Sequence, residues 1–262
     1  MEGLLTLAAA GALAGTLAGL LGIGGGIVVV PVLALVFAGQ GVGEAVRMHL
    51  AVGTSLATIV VTAAASVRAH HARAAVDWRL FRRLAPGVAA GALAGAALAR
   101  QVPGEALRVA FGLFLFAVAA QMALRPRVPR GRSAPRRAGM ALAGLAIGAV
   151  SALMGVGGGS MTVPFLSWCG VPARRAVATS AAVGLPIALA GALGFILAGA
   201  GVPGRPPYSL GFVNGAAFAG TALASVACAP LGARLAHAIP ERTLRRLFAL
   251  FLAVLGARIL AG

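Results

Sequence analysis

Residues 19–33 read GLLGIGGGIVVVPVL, and residues 152–166 read ALMGVGGGSMTVPFL, at a constant offset of 133 residues. The offset pairs Gly22 with Gly155, Gly24–Gly26 with Gly157–Gly159, and Pro31 with Pro164. Both copies interrupt long apolar stretches. Glycine and proline breaking an apolar segment at corresponding places in two halves is the strongest sequence pointer to a ligand site in a membrane protein of doubled design. Such a chain is expected to fold as two related units, with a candidate ligand site at the breaks.

Composition agrees with a bilayer setting. Of 262 residues 60% are hydrophobic and 10% charged, with a mean hydropathy of +0.97, whereas soluble domains carry about 25% charged residues. No GxxxxGK[ST] phosphate loop occurs, so ATP-driven pumping by this chain alone is not expected. The basic residues are all arginine, and the net charge is +17. These arginines stand in short clusters between apolar segments, the pattern of topology signals rather than of a nucleic-acid surface. Cys169 and Cys228 have no metal-ligand spacing and read as packing residues. No metal, cofactor or catalytic residue is expected. The first apolar stretch follows Glu2 rather than a basic region and has a repeat partner, so it reads as part of the fold and not as a cleaved signal.

Apolar segments run over 3–38, 44–67, 84–100 and 107–124, then 139–169, 176–200, 210–231 and 244–261. Residues 1–124 form a first repeat and 139–262 a second, with an Arg/Pro-rich linker at 125–138. Further landmarks recur: Ala51–Ser55 (AVGTS) matches Ala176–Ser180 (AVATS) at offset 125. Pro103 and Leu107-Arg108 match Pro240 and Leu244-Arg245 at offset 137. A straight helix over 3–38 would exceed 50 Å, at about 1.5 Å per residue, against a core of about 30 Å. Folding each broken segment back as a re-entrant hairpin leaves 17 arginines on the cytoplasmic side and five outside, which the positive-inside rule favours over simple crossings. Each half then has three full crossings, an odd number. The expected fold is therefore all-α: two inverted four-segment repeats, about eight membrane segments, a cytoplasmic linker, and both termini outside. Eight simple crossings with parallel repeats is the alternative.

The doubled glycine motif, together with His49–Ser55 (HLAVGTS) and AVATS at 176–180, resembles the TauE/SafE family of sulfite and organosulfur-anion exporters, also called TSUP. The resemblance covers nearly the whole chain. It implies a multi-pass protein of the bacterial inner membrane that transports small sulfur-containing anions such as sulfite, thiosulfate or sulfonates. The second TS stretch departs from the first: offset 125 sets Arg174 opposite His49.

The residues themselves suggest how an anion is held. Gly24, Gly25 and Gly26, and Gly157, Gly158 and Gly159, allow non-helical backbone at membrane depth and close approach of a ligand. The helical arm after each tip begins there, so its free N–H groups and positive dipole end favour an anion without a buried cation. Ser160 and Thr162 add hydroxyl donors at the second tip, where the first has Ile27 and Val29. The bland alternative is that the glycines only permit close packing. Pro31 and Pro164 are candidate hinges, or plain helix-shaping residues. Thr54-Ser55 and Thr179-Ser180 are candidates to complete an oxyanion cage, or to bond within the helices. His49 is the candidate for proton coupling, near the outer face. Gln121 and Asn214 read as contacts between helices. Gly87, Gly91 and Gly95 form a close-packing face, usable inside the fold or in a homodimer. The expected partners are a small inorganic or organosulfur anion and the lipid bilayer. A channel-like or accessory component is the alternative function. An intramembrane serine hydrolase is disfavoured, since no GxSxG pattern is present.

Overall fold

A computed structural model describes residues 9, 11–12, 15–16, 25–124, 137–238 and 241–261. Gly22 and Gly24, most of the arm before them, and linker residues 125–136 lie outside the described residues. The described fold is helical apart from one two-stranded turn. Its helices are α1 (Gly26–Gly39), α2 (Glu44–Ala72), α3 (Trp78–Ala99), α4 (Gly104–Leu124), α5 (Arg137–Leu153), α6 (Gly159–Trp168), α7 (Ala173–Ala198), α8 (Gly215–Ala238) and α9 (Glu241–Ala261). Strands β1 (Ser209–Leu210) and β2 (Val213–Asn214) pair antiparallel between α7 and α8. Of these helices α2, α4 and α7 are long and apolar enough to cross a membrane by length and composition. Several helices outrun their apolar cores. α2 continues past Arg68 to Ala72, and α3 begins at Trp78, where Asp77 caps it by accepting the N–H groups of Arg79 and Leu80, each at 3.0 Å.

Small residues set the packing, and their partners fix helix direction. Gly87, Gly91 and Gly95 of α3 lie against the backbone of Ala141, Leu145 and Ala149 of α5, while Gly148 lies against Val88. Both numbers climb together, so α3 and α5 run parallel, and the close-packing stripe is used inside the fold. Thr179 sits beside Asp77 and Gly194 beside Ala96, so α7 also runs parallel to α3. With α5 and α7 both starting at the lower end, where α3 starts, α6 returns toward that end. In the other half, α2 begins at the upper end: Gly104 lies against the carbonyls of Glu44 and Ala45, and His49 meets Ala99. α1 runs to that same upper end. Gly11 and Gly15 pack along Thr221 and Ser225 of α8, and the Ser225 hydroxyl donates to the Gly11 carbonyl at 3.2 Å. α4 and α9 lie antiparallel, with Gly112 on Leu260 and Gly256 on Phe116, so α9 ends at the upper end.

Among the described residues, two large apolar clusters and a small third around Ile59, Ala63 and Ala188 fill the bundle. One large cluster is centred on Phe37, Leu50, Phe111 and Phe195, the other on Leu84, Met140, Leu166 and Ile187. The outer surface is apolar as well: Leu142, Leu193 and Leu223 are more than half exposed. In lipid such leucines need no burial, and helix association rests on close van der Waals packing at small residues instead.

Candidate functional site

The second break is a helix end followed at once by a helix start. α5 stops at Leu153. The Gly155 N–H donates to the Ala152 carbonyl at 3.1 Å, and the Val156 N–H to the Ser151 carbonyl at 2.9 Å. This double closure needs a left-handed residue, and Gly155 supplies it at φ +65°. Gly157 is buried, and Gly158 precedes α6 with its carbonyl accepting from the Thr162 N–H at 2.8 Å. In the first break Gly25 is also left-handed, at φ +59°, and its carbonyl accepts from the N–H groups of Val28 and Val29 at 3.0 Å. α1 and α6 each continue through their proline. Pro31 and Pro164 lack the N–H that would bond the carbonyls of Ile27 and Ser160, so one carbonyl near each tip is released from the ladder.

The two tips meet. A Cβ added at Gly26 would lie 2.8 Å from the Gly155 carbonyl oxygen and 2.9 Å from the Val156 Cα. A Cβ at Gly155 would lie 2.7 Å from Val30 and 2.9 Å from the Val52 Cα. The Ser55 hydroxyl donates to the Gly155 carbonyl at 2.8 Å, joining α2 to the second tip. Gly158 lies against the Ser180 carbonyl and Gly184 of α7. Two rulers give the depth. Gly184 is about 16 Å along α7 from its lower end, and Val52 about 12 Å along α2 from its upper end, by rise per residue. Measured from opposite ends, both values place the contact in the middle of the bundle.

The surroundings carry hydroxyls and no charge. Ser151 and Thr162 are fully buried, and their hydroxyls, with that of Ser160, have no hydrogen-bond partner among the described residues. Ser151 was not anticipated from the sequence; its counterpart at offset 133 is Ala18, so the repeat gives no signal for it. The start of a helix and three hydroxyls with no partner among the described residues are donors of the kind that can hold a small anion.

Thr54 and Thr179 do something the repeat alone did not reveal. The Thr54 hydroxyl accepts the Asn214 N–H at 3.0 Å, and the Thr179 hydroxyl accepts the Asp77 N–H at 3.0 Å. Asp77 and Asn214 are related by offset 137, the offset that pairs Pro103 with Pro240. Each stands just before a helix and caps it, Asn214 through its Oδ1 on the Ala217 N–H at 2.9 Å. Each half thus offers a threonine hydroxyl to the capping residue of the other. The Asn214 amide also donates to the Pro207 carbonyl and Ser209 hydroxyl, whereas Gln121 is exposed. The Ser180 hydroxyl donates to the Val177 carbonyl at 2.8 Å within its own helix.

His49 lies away from the tips. Its Nε2 is 2.9 Å from the Ala99 carbonyl and 3.2 Å from that of Val102, which only accept, so Nε2 carries the proton. The ring stacks on Phe212 at 4.9 Å, and Nδ1 is buried without a partner. Gly24 lies outside the described residues. Cys169 and Cys228 are both free thiols. No group of three or more metal-ligating side chains occurs among the described residues.

An apolar helical bundle with a glycine break at its middle is compatible with a membrane transporter. The chain belongs to the sulfite exporter TauE/SafE family, whose family model matches residues 7–259. It is 36% identical to a probable membrane transporter protein of Haemophilus influenzae, over 93% of both chains. It is 28% identical to the probable membrane transporter protein MJ0441 of Methanocaldococcus jannaschii, over 94% of this chain and 91% of that one. With the probable membrane transporter protein YunE of Bacillus subtilis the identity is 26%, over 95% and 94%. No solved structure matches the chain significantly.

Proposed function

We propose that this chain is a secondary transporter for a small sulfur-containing oxyanion such as sulfite, thiosulfate or a short sulfonate. In this reading the anion binds between the two glycine tips and is exposed to either side in turn. The observation that carries it is the meeting of Gly26 with the Gly155–Val156 backbone in the middle of the bundle, beside the unpartnered hydroxyls of Ser151, Ser160 and Thr162. The first turns of α1 and α6 supply backbone N–H groups, and the hydroxyls add donors. An oxyanion that has shed its water is matched without a buried cation, which would be costly there. Thr54 and Thr179 keep a hydroxyl proton to donate while they accept. The helix directions support two inverted repeats: α1 with α6, α2 with α7, α3 with α8 and α4 with α9 run opposite ways. Arginine placement supports a cytoplasmic lower end with both chain ends outside, in a bacterial inner membrane. His49, with its unengaged Nδ1, is the candidate proton carrier at the upper end.

The test is flux of radiolabelled sulfite, thiosulfate and a two-carbon sulfonate in proteoliposomes, with and without a proton gradient. Saturable flux of one anion that responds to the gradient is the expected result. Absence of flux for all three, from folded protein, overturns the sulfur assignment. Non-saturating conductance overturns alternating access in favour of a channel.

A further inference from the structure

At the lower end the first turns of α3 and α5 part to leave a cleft of about 690 Å³, lined by Arg79, Arg82, Arg83 and Arg137, with Pro86 and Ala141 as its apolar floor. Above it, toward the upper end, the helices close tightly on their glycine seam, so the cleft caps the lower end of that seam and is no part of the tip site. Among the described residues none of these arginines forms an ion pair. The chain has five acids: Glu2, Glu44, Asp77, Glu105 and Glu241. Glu44 and Glu105 stand at the upper end, and Glu44 forms an ion pair with Arg47 at 3.9 Å. Asp77 is the acid nearest the cleft in sequence, and its Oδ1 already accepts the N–H groups of Arg79 and Leu80. Residues 125–136, which precede α5 in sequence, hold five further arginines and no acid. The Arg82 Nε is held on the Trp78 carbonyl at 3.3 Å, which anchors that guanidinium at the rim.

Directly above this rim, toward the upper end, the outer surface turns apolar. Pro86, Ala90 and Leu93 on α3, with Leu142 and Leu145 on α5, are exposed. Planar guanidinium groups at the end of a leucine-lined strip match one kind of molecule: a phosphate at the rim with hydrocarbon running along the strip. Basic pockets between membrane helices at the cytoplasmic side hold anionic headgroups for the same reason. We infer that the cleft seats the phosphate of an anionic phospholipid, whose acyl chains lie along the exposed α3–α5 surface. A lipid bound there clamps the two first turns, which like charge would otherwise push apart.

The test is native mass spectrometry of the full-length protein in detergent, titrated separately with dioleoyl phosphatidylglycerol and dioleoyl phosphatidylcholine. The parallel variant is R82Q/R83Q/R137Q, with its melting temperature recorded. The expected result is preferential retention of phosphatidylglycerol, weakened about a hundredfold in the variant and unaffected by millimolar inorganic phosphate. Equal retention of the two lipids overturns the proposal, as does unchanged retention by the variant. Displacement by inorganic phosphate also overturns it, in favour of a soluble-anion site. Should the variant not fold, a photoactivatable phosphatidylglycerol on the wild-type protein decides. Adducts on residues 86–93 and 142–145 uphold the lipid seat, and adducts confined elsewhere refute it.

Discussion

The two glycine tips share a sequence pattern but differ in structure. Gly25 is left-handed at φ +59°, while its repeat partner Gly158 is an ordinary right-handed residue at φ −58°. After the first tip come Ile27, Val28, Val29 and Val30, all buried and apolar; after the second come Ser160 and Thr162, with unengaged hydroxyls. One tip is a hydrocarbon wedge and the other a polar cup, and the wedge packs into the loop of the cup. The repeated sequence pattern therefore carries unlike side chains at its two copies. A site between unlike halves needs only one of them to carry the hydrogen-bonding chemistry.

The sharpest way to break this comparison is to add bulk at two glycines of the second tip. Gly155→Val places a β-branched residue at φ +65°, with its Cβ against the Val52 Cα and Val30. Strain and overpacking together cost roughly 3 kcal/mol or more, so little folded protein is expected on size-exclusion chromatography. Gly158→Val has no such backbone strain. Its Cβ lies 3.0 Å from the Ser180 carbonyl oxygen and the Gly184 nitrogen, close enough to require a small shift. This variant should stay folded and lose transport. Wild-type flux from folded Gly158→Val would refute the tip site.

The two threonine contacts give a smaller and more quantitative comparison. The Asn214–Thr54 bond is buried and the Asp77–Thr179 bond only partly so. Leaving a buried N–H without an acceptor costs about 1–3 kcal/mol, and less where water can reach it. Thr54→Val should therefore lower the melting temperature more than Thr179→Val. The reverse order would mean that the lower contact, not the upper one, holds the halves together.

How much of this was legible without coordinates differs by element. The helical class and the membrane setting followed from apolar length and arginine clustering, because those signals are additive along the chain. The second break was legible because glycine in a Schellman closure has few substitutes, and the break falls between Leu153 and Gly159. The partners of Thr54 and Thr179 were not legible. A threonine in an apolar helix looks the same whether it bonds its own turn, as Thr58 does with the Thr54 carbonyl at 3.0 Å, or a capping residue far away in sequence. Asp77 and Asn214 do share offset 137, but they differ in residue type, and only their common capping role unites them. The use of Gly87, Gly91 and Gly95 was equally open, since a small-residue stripe does not name its partner. It is α5 that fills it.

The finest comparison exchanges one functional group between the tips. Thr162 and Val29 are repeat partners of nearly equal volume, and both are buried. Because the Thr162 hydroxyl has no partner, Thr162→Val removes an unsatisfied polar group and should change stability by less than about 1 kcal/mol, in the stabilising direction. If that hydroxyl serves the anion, affinity in a flux assay should nonetheless fall by roughly fivefold to tenfold, the worth of one hydrogen bond. Opposite signs for stability and affinity are the mark of a group kept for its ligand at some cost to the fold. A variant that gains stability and keeps its affinity would make the second tip as inert as the first. The reciprocal Val29→Thr should lose stability without gaining affinity, since the wedge meets Gly155 through backbone and methyl groups. A gain in affinity there would move part of the site across the contact to α1.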